Sequence, residues 1–367
     1  KTFSKYRREG RQRLVEVAEA MTGEKFDNPV IVGIGGRYEF KSKGIDVFVD
    51  SLAKLEHSSY KGRTVLAFIL VPAGTNGYDK ELVAKLSGNG SDYTTHTTHN
   101  LQYPENDPVL CRMAAAGVNN RSNKNVKLLF ACTYLNGNDG VFNLPYYQLL
   151  SGLDLSVFPS YYEPWGYTPL ESLAFKVPTI TTTLAGFGLW VNEYYPKAHP
   201  GISVIERDES NYEKVVEGVC AKIEEIASLD EKGEKKYREN AKSVSEISLW
   251  KNNLNYYREA YSQAIGKVIE SRGKYPEFNN IKNMEYKKFE VGNPSWNRVL
   301  VTRNIPERLK YLDIISKNLW WCWNQEAMDL FKSIDKDLWV ALGRNPIALL
   351  DQLTYEQYKA LENNSKF

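Results

Sequence analysis

Phe158-Pro-Ser-Tyr-Tyr-Glu-Pro-Trp-Gly-Tyr-Thr-Pro-Leu-Glu171 joins an apolar, strand-like run, Leu153 to Phe158, to a helix-like run, Leu170 to Phe175. It carries two carboxylates eight residues apart, Glu163 and Glu171. This order puts Glu163 on the loop at the carboxyl end of a strand and Glu171 in the first turns of the following helix. Open α/β sheets bind their ligands at that edge. The backbone N–H groups around Gly166 to Pro169 then lie near a helix N-terminus, a ready site for phosphate. One carboxylate near a phosphate-binding helix end suits the hydroxyls of a nucleotide sugar, and the other can face a second sugar.

Working outward, strand and helix patterns alternate. Residues 3–21 read as an amphipathic helix, with apolar Leu14, Val15, Val17, Ala18 and Met21. Val30 to Ile34 is a short strand, and Gly44 to Leu55 a helix with Ile45, Phe48, Leu52 and Leu55 on one face. Thr64 to Val71 is a continuous apolar run, the kind buried on both faces of a parallel sheet. Further strands are expected at Val126 to Phe130, Pro178 to Thr181 and Ile202 to Ile205, with helices at Tyr146 to Leu150 and Tyr212 to Ala227. The alternation predicts a doubly wound, Rossmann-like α/β domain over residues 1–268. Residues 74–125 read as a polar excursion in which only Lys80 to Leu86 is clearly helical, and 231–268 as one long helical region. Residues 269–303 read as a linker, and residues 304–367 as a separate small helical segment.

Composition sets outer limits. A length of 367 residues suggests about two domains. A formal charge of +2 argues against a dedicated nucleic-acid binder. No apolar run is long enough to span a membrane, and the basic start lacks the apolar core of a signal peptide. The four cysteines have no C-x-x-C spacing; Cys132 and Cys220 lie in apolar runs as buried thiols, so a reducing, cytoplasmic setting is expected. The chain has no initiator Met and begins and ends in helix-like sequence, so a longer polypeptide is expected. His96 and His99, in Thr-Thr-His-Thr-Thr-His, are expected on an exposed loop rather than at a metal.

A second constellation is Gly33-Ile-Gly-Gly-Arg-Tyr-Glu-Phe-Lys-Ser-Lys-Gly44, after a strand and before a helix. Tyr38 stands where a dinucleotide fingerprint needs glycine, so that motif fails. What remains is glycine-bordered backbone with Arg37 and Lys43 near a helix start, two cations able to neutralise a diphosphate.

Both constellations resemble the glycogen synthases of animals and fungi, retaining glycosyltransferases of family 3 with the GT-B fold. Glu163 and Glu171 match their E-x7-E motif, and Arg37-Tyr-Glu-Phe with Lys43-Gly44 matches their R-Y-E-F/Y-x-x-K-G segment. The resemblance implies that Arg37 and Lys43 bind the donor diphosphate, that Glu163 lies near the donor glucose and that Glu171 holds the ribose hydroxyls. It implies that Tyr134 and Tyr146 stack on the nucleotide base, and that Trp165, Gly166, Tyr167 and Thr168 line the phosphate and sugar. No metal or other cofactor is called for, because Arg37 and Lys43 carry the charge of the leaving nucleotide. Thr182-Thr-Leu-Ala-Gly-Phe-Gly188 resembles a further family segment, with Leu184 and Ala185 in place of its polar residues. The resemblance covers roughly 1–268, the carboxyl half of such a synthase. It therefore implies an amino-terminal GT-B domain as partner for most of the acceptor site.

The family's assembly insertion is short and polar here, and its arginine-dense regulatory helix is sparse: Lys232 to Lys242 holds only Lys235, Lys236 and Arg238 among glutamates. Neither its tetramer nor its sugar-phosphate activation is implied. The tail, with Trp320-Trp-Cys-Trp-Asn324 and Gly343-Arg-Asn-Pro-Ile-Ala-Leu-Leu350, resembles the amino-terminal segment of bacterial-type α-glucan phosphorylases. The leading expectation is the donor-binding half of a glucosyltransferase that extends α-1,4-glucan from UDP-glucose or ADP-glucose. The alternative is a non-catalytic nucleotide-sugar or glucan-binding module attached to a phosphorylase. A third reading leaves the synthase-like part structural.

Overall fold

The computed structural model describes residues 2–90, 92–120, 124–197 and 199–271. Residues 269–271 of the expected 269–303 linker are the end of a helix, and the rest of it and the phosphorylase-like segment lie outside the described residues. The chain divides into two compact units after Asn252.

In chain order the elements are α1 (Thr2–Thr22), β1 (Val30–Gly35), α2 (Ile45–His57), β2 (Val65–Leu70), β3 (Thr75–Tyr78), α3 (Lys80–Leu86), β4 (His99–Leu101), α4 (Pro108–Ala116), β5 (Val126–Ala131), α5 (Tyr146–Leu150), β6 (Leu155–Val157), α6 (Tyr167–Ala174), β7 (Thr179–Thr182), α7 (Gly186–Tyr194), β8 (Ile202–Ile205), α8 (Tyr212–Ala227), α9 (Glu231–Ile247) and α10 (Trp250–Ser271).

Six strands form one parallel sheet in the order β5-β2-β1-β6-β7-β8. Counted along the sheet's own strands this is 3-2-1-4-5-6, the Rossmann order, and the expected doubly wound domain is present. Strands β1, β2 and β5 are buried along their whole length, which is why their sequences are near-continuous apolar runs rather than alternations, broken in β5 by Lys127, which pairs with Glu24 at 2.6 Å. Successive residues still choose sides. Val30, Val32 and Ile34 join one core with α2, α4 and α8, while Ile31 joins the other with α1, α3 and α5. Each face buries apolar area worth about 25 cal/mol per Å².

Asp154, at the head of β6, ties α1 to the sheet. Its buried carboxylate accepts from Arg7 and Arg11 at 2.6 Å each and from the Ile31 N–H at 2.8 Å. Burial alone would raise its pKa, but the charges of Arg11 and Arg7 outweigh that and hold it below the usual carboxylate value.

Several elements differ from expectation. The polar excursion contains an antiparallel ribbon, β3 with β4, and a helix, α4. Asp107 caps α4 by accepting from the Val109 and Leu110 N–H groups at 3.0 and 3.1 Å, with Pro108 at the first helical position. Read in isolation, Asn-Asp-Pro is a turn. The long helical region is two helices, interrupted at Ser248 and Leu249. His99 is not on an exposed loop: it is buried on β4, donating from Nε2 to the Asp139 carbonyl (2.9 Å) and accepting at Nδ1 from the Thr98 hydroxyl (3.0 Å). His96 accepts from the Asn120 side chain at 3.0 Å. Burial lowers the pKa of both, so they serve as neutral packing groups. Among the described residues no helix is long and apolar enough to cross a membrane.

Candidate active site

The strand order reverses between β1 and β6, and a cavity of about 480 Å³ opens there, at the carboxyl edge of the sheet. Arg37 and Lys43, from the β1–α2 loop, stand on one side. Glu163, from the loop after β6, and Tyr167 and Thr168, from the first turn of α6, stand on the other. Tyr134 and Tyr146 close a third side.

Lys43 and Glu163 form an ion pair across the cavity, with side chains 15% and 21% exposed. A cation and a carboxylate from two separate loops meet at one point only if both loops are fixed. The loops are latched together by backbone: the Tyr161 N–H donates to the Ser42 carbonyl at 2.9 Å. Gly44 sits at φ 72°, and a Cβ there would lie 2.1 Å from the Pro159 carbonyl oxygen. Only glycine allows both that conformation and that approach. Gly44→Ala is therefore expected to cost at least about 1–3 kcal/mol in backbone strain alone. Urea unfolding checks this, and an unchanged midpoint would contradict the close packing.

The Glu163 loop is held a second time, from β7. Its N–H donates to the Leu184 carbonyl at 3.2 Å, its carbonyl accepts from the Gly186 N–H at 3.1 Å, and the Trp165 carbonyl accepts from the Phe187 N–H at 2.7 Å. The segment with Leu184 and Ala185 thus supports Glu163 through its backbone, which is why apolar side chains suffice there.

Arg37 occupies the rim. Its side chain is 78% exposed and pairs with Glu39 at 2.9 Å. Tyr134 is 76% exposed, and Tyr146 is half-buried with its ring packed against Gly35. Burial, with a contribution from the Glu171 charge, raises the Tyr146 phenol, so it stays a neutral donor. The motif helix starts at Tyr167, three residues before the expected Leu170, and no side chain caps it. Its first-turn N–H groups are therefore available at the cavity.

Three of the expected residues stand behind the cavity wall. Trp165 packs its ring against Phe187 and Trp190, at 5.7 and 5.6 Å between centroids. Gly166 is the buried residue at the N-terminus of α6, and Glu171 lies one turn along that helix beside Tyr146 and Tyr147. The cavity is also lined by Pro72, Thr133, Asn136 and Ser160, which sequence reasoning missed. The carboxyl-edge rule applied to β2 and β5 points to Pro72 and Thr133.

A family model described as "Glycogen synthase" matches residues 22–87 and 84–305. The chain belongs to the glycogen synthase family. A second model, "Protein of unknown function (DUF3417)", matches 305–367. Similar curated proteins include glycogen [starch] synthase isoform 1 of Saccharomyces cerevisiae, 28% identical, covering 73% of this chain and 48% of the relative. The Neurospora crassa glycogen [starch] synthase is 27% identical, covering 66% and 42%. The human liver glycogen [starch] synthase is 28% identical, covering 65% and 42%. The chain spans about half the length of these family members. Among solved structures, the C-terminal domain of a group 1 family glycosyl transferase from Francisella tularensis is 17% identical, covering 63% of this chain and 91% of that one, at a TM-score of 0.36.

Proposed function

We propose that this chain is the donor-binding half of a retaining glucosyltransferase that extends α-1,4-glucan from a nucleotide-glucose, UDP-glucose first. The observation that carries the reading is the Lys43–Glu163 pair in a cavity at the sheet's switch point, with Arg37 on the rim. A diphosphate seated on the α6 N-terminus would take Lys43 on one side and Arg37 on the other. The donor glucose would then lie against Glu163, and the base between Tyr134 and Tyr146.

Departure of the nucleotide diphosphate places negative charge on the bridging oxygen, where Lys43 and Arg37 stabilise it. Positive charge develops on the sugar, where Glu163 opposes it. In the retaining, front-face course, the leaving phosphate helps to take the acceptor proton on the face from which it departs. The acceptor site falls to the amino-terminal half that family members carry.

Arg37→Ala is expected to weaken nucleoside diphosphate binding by about 1.5–3 kcal/mol, the worth of a charged hydrogen bond. An unchanged dissociation constant would remove Arg37 from the site. The activity itself is tested by supplying the complete protein with UDP-glucose and an α-1,4-glucan primer. Chain extension with α-anomeric product is expected. Nucleotide binding without transfer would favour the binding-module reading.

A further inference from the structure

Arg207 lies in the loop after β8 and takes no part in lining the cavity, yet it is 6% exposed and charged. Its guanidinium Nη1 donates to the Pro159 carbonyl, the same oxygen that rests against Gly44. Its Cζ stands 5.2 Å from the centre of the Tyr161 ring. Its backbone N–H donates to the Thr183 hydroxyl at 3.0 Å, and that hydroxyl donates to the Arg207 carbonyl at 3.3 Å. It feels the opposite charge of Asp46, in the first turn of α2. From the loop after β8 its side chain therefore touches the loop after β6 and faces the start of α2, and its backbone holds the loop after β7.

The segment it clamps is the one that sets the reacting geometry. Pro159 to Tyr161 leads to Glu163, and the Tyr161 N–H holds Ser42. Ser42 and Gly44 flank Lys43. A buried arginine is costly unless its donors are used, and the Nη1 donor of this one goes to the junction of the two loops.

We propose that Arg207 is a positioning residue for the diphosphate site: by clamping the Pro159 carbonyl against Gly44 it sets where Lys43 stands relative to Glu163. The inference rests on reading the cavity as a nucleoside diphosphate site. A displacement of about 1 Å at such a centre costs up to 10²-fold in function, so the effect should be read in ligand affinity and not only in stability.

The test is calorimetric titration of the full chain with UDP, using wild type, Arg207→Met, Arg207→Lys, Lys43→Ala and the double variants with Lys43→Ala, with melting temperatures measured alongside. Arg207→Met is expected to weaken UDP about tenfold or more, and Arg207→Lys to recover part of the loss. In the Lys43→Ala background either Arg207 change should cost less than about twofold, because the group it positions is gone. If Arg207→Met does not fold, Arg207→Lys in the two backgrounds carries the same comparison. Wild-type affinity in the Arg207 variants, or an equal loss in both backgrounds, would overturn the proposal and leave Arg207 a structural residue. Failure of the wild-type chain to bind UDP would instead remove the reading of the cavity, and this inference with it.

Discussion

Glu163→Ala in the complete protein is expected to abolish glucosyl transfer, by on the order of 10²–10³ or more, while nucleoside diphosphate affinity stays nearly intact. In the proposed reaction the carboxylate opposes charge that exists only as the bond to the donor glucose breaks, so its loss should fall on turnover rather than on ground-state binding. Lys43, its partner in the ion pair, remains to meet the phosphates. Steady-state kinetics with UDP-glucose, alongside UDP titration, separates the two effects. Unchanged turnover would dismiss Glu163 from the chemistry. A parallel collapse of UDP affinity would make it a binding group instead.

Asp154→Asn should carry the largest cost in stability, about 3–5 kcal/mol. The buried carboxylate meets Arg7 and Arg11, and its removal leaves both cations with backbone carbonyls but without the negative charge that neutralises them. The same group makes the fold acid-sensitive in a defined direction. Its folded-state pKa is depressed, so its contribution is fully present above the unfolded value of about 3.9 and is lost as pH falls through the lower folded value. Wild type should lose stability steeply below about pH 4, and Asp154→Asn should lose that part of the slope. Urea unfolding at neutral and acid pH measures both. An Asn variant as stable as wild type would mean that α1 is held by packing alone.

The fold was legible wherever burial dictates sequence. Val65–Leu70 is apolar at every position because both faces of β2 are covered. Part of the candidate site was legible because Arg37, Lys43, Glu163, Tyr167 and Thr168 lie in two short stretches that the switch-point topology brings to one cavity, whereas Pro72 and Thr133 come from other strand ends. The helix after Asp107 was missed because a cap and a proline look like a turn until the apolar positions Val109 and Met113 find a core. His99 was misread for the same reason: in sequence it sits among threonines, but β3 and Asp139 enclose it. Arg207 left no signal, since its partner is a backbone carbonyl 48 positions away. Sequence records side chains, whereas this contact is made by geometry that only the folded sheet supplies.

The most direct test of the donor-site reading is calorimetric titration of this chain with UDP, ADP, UDP-glucose and ADP-glucose. Saturable binding of the uridine ligands, weakened by Arg37→Ala and by Lys43→Ala, is the expected result. Binding that ignores both substitutions, or no binding of any of the four, would contradict a nucleotide-sugar site between β1 and β6.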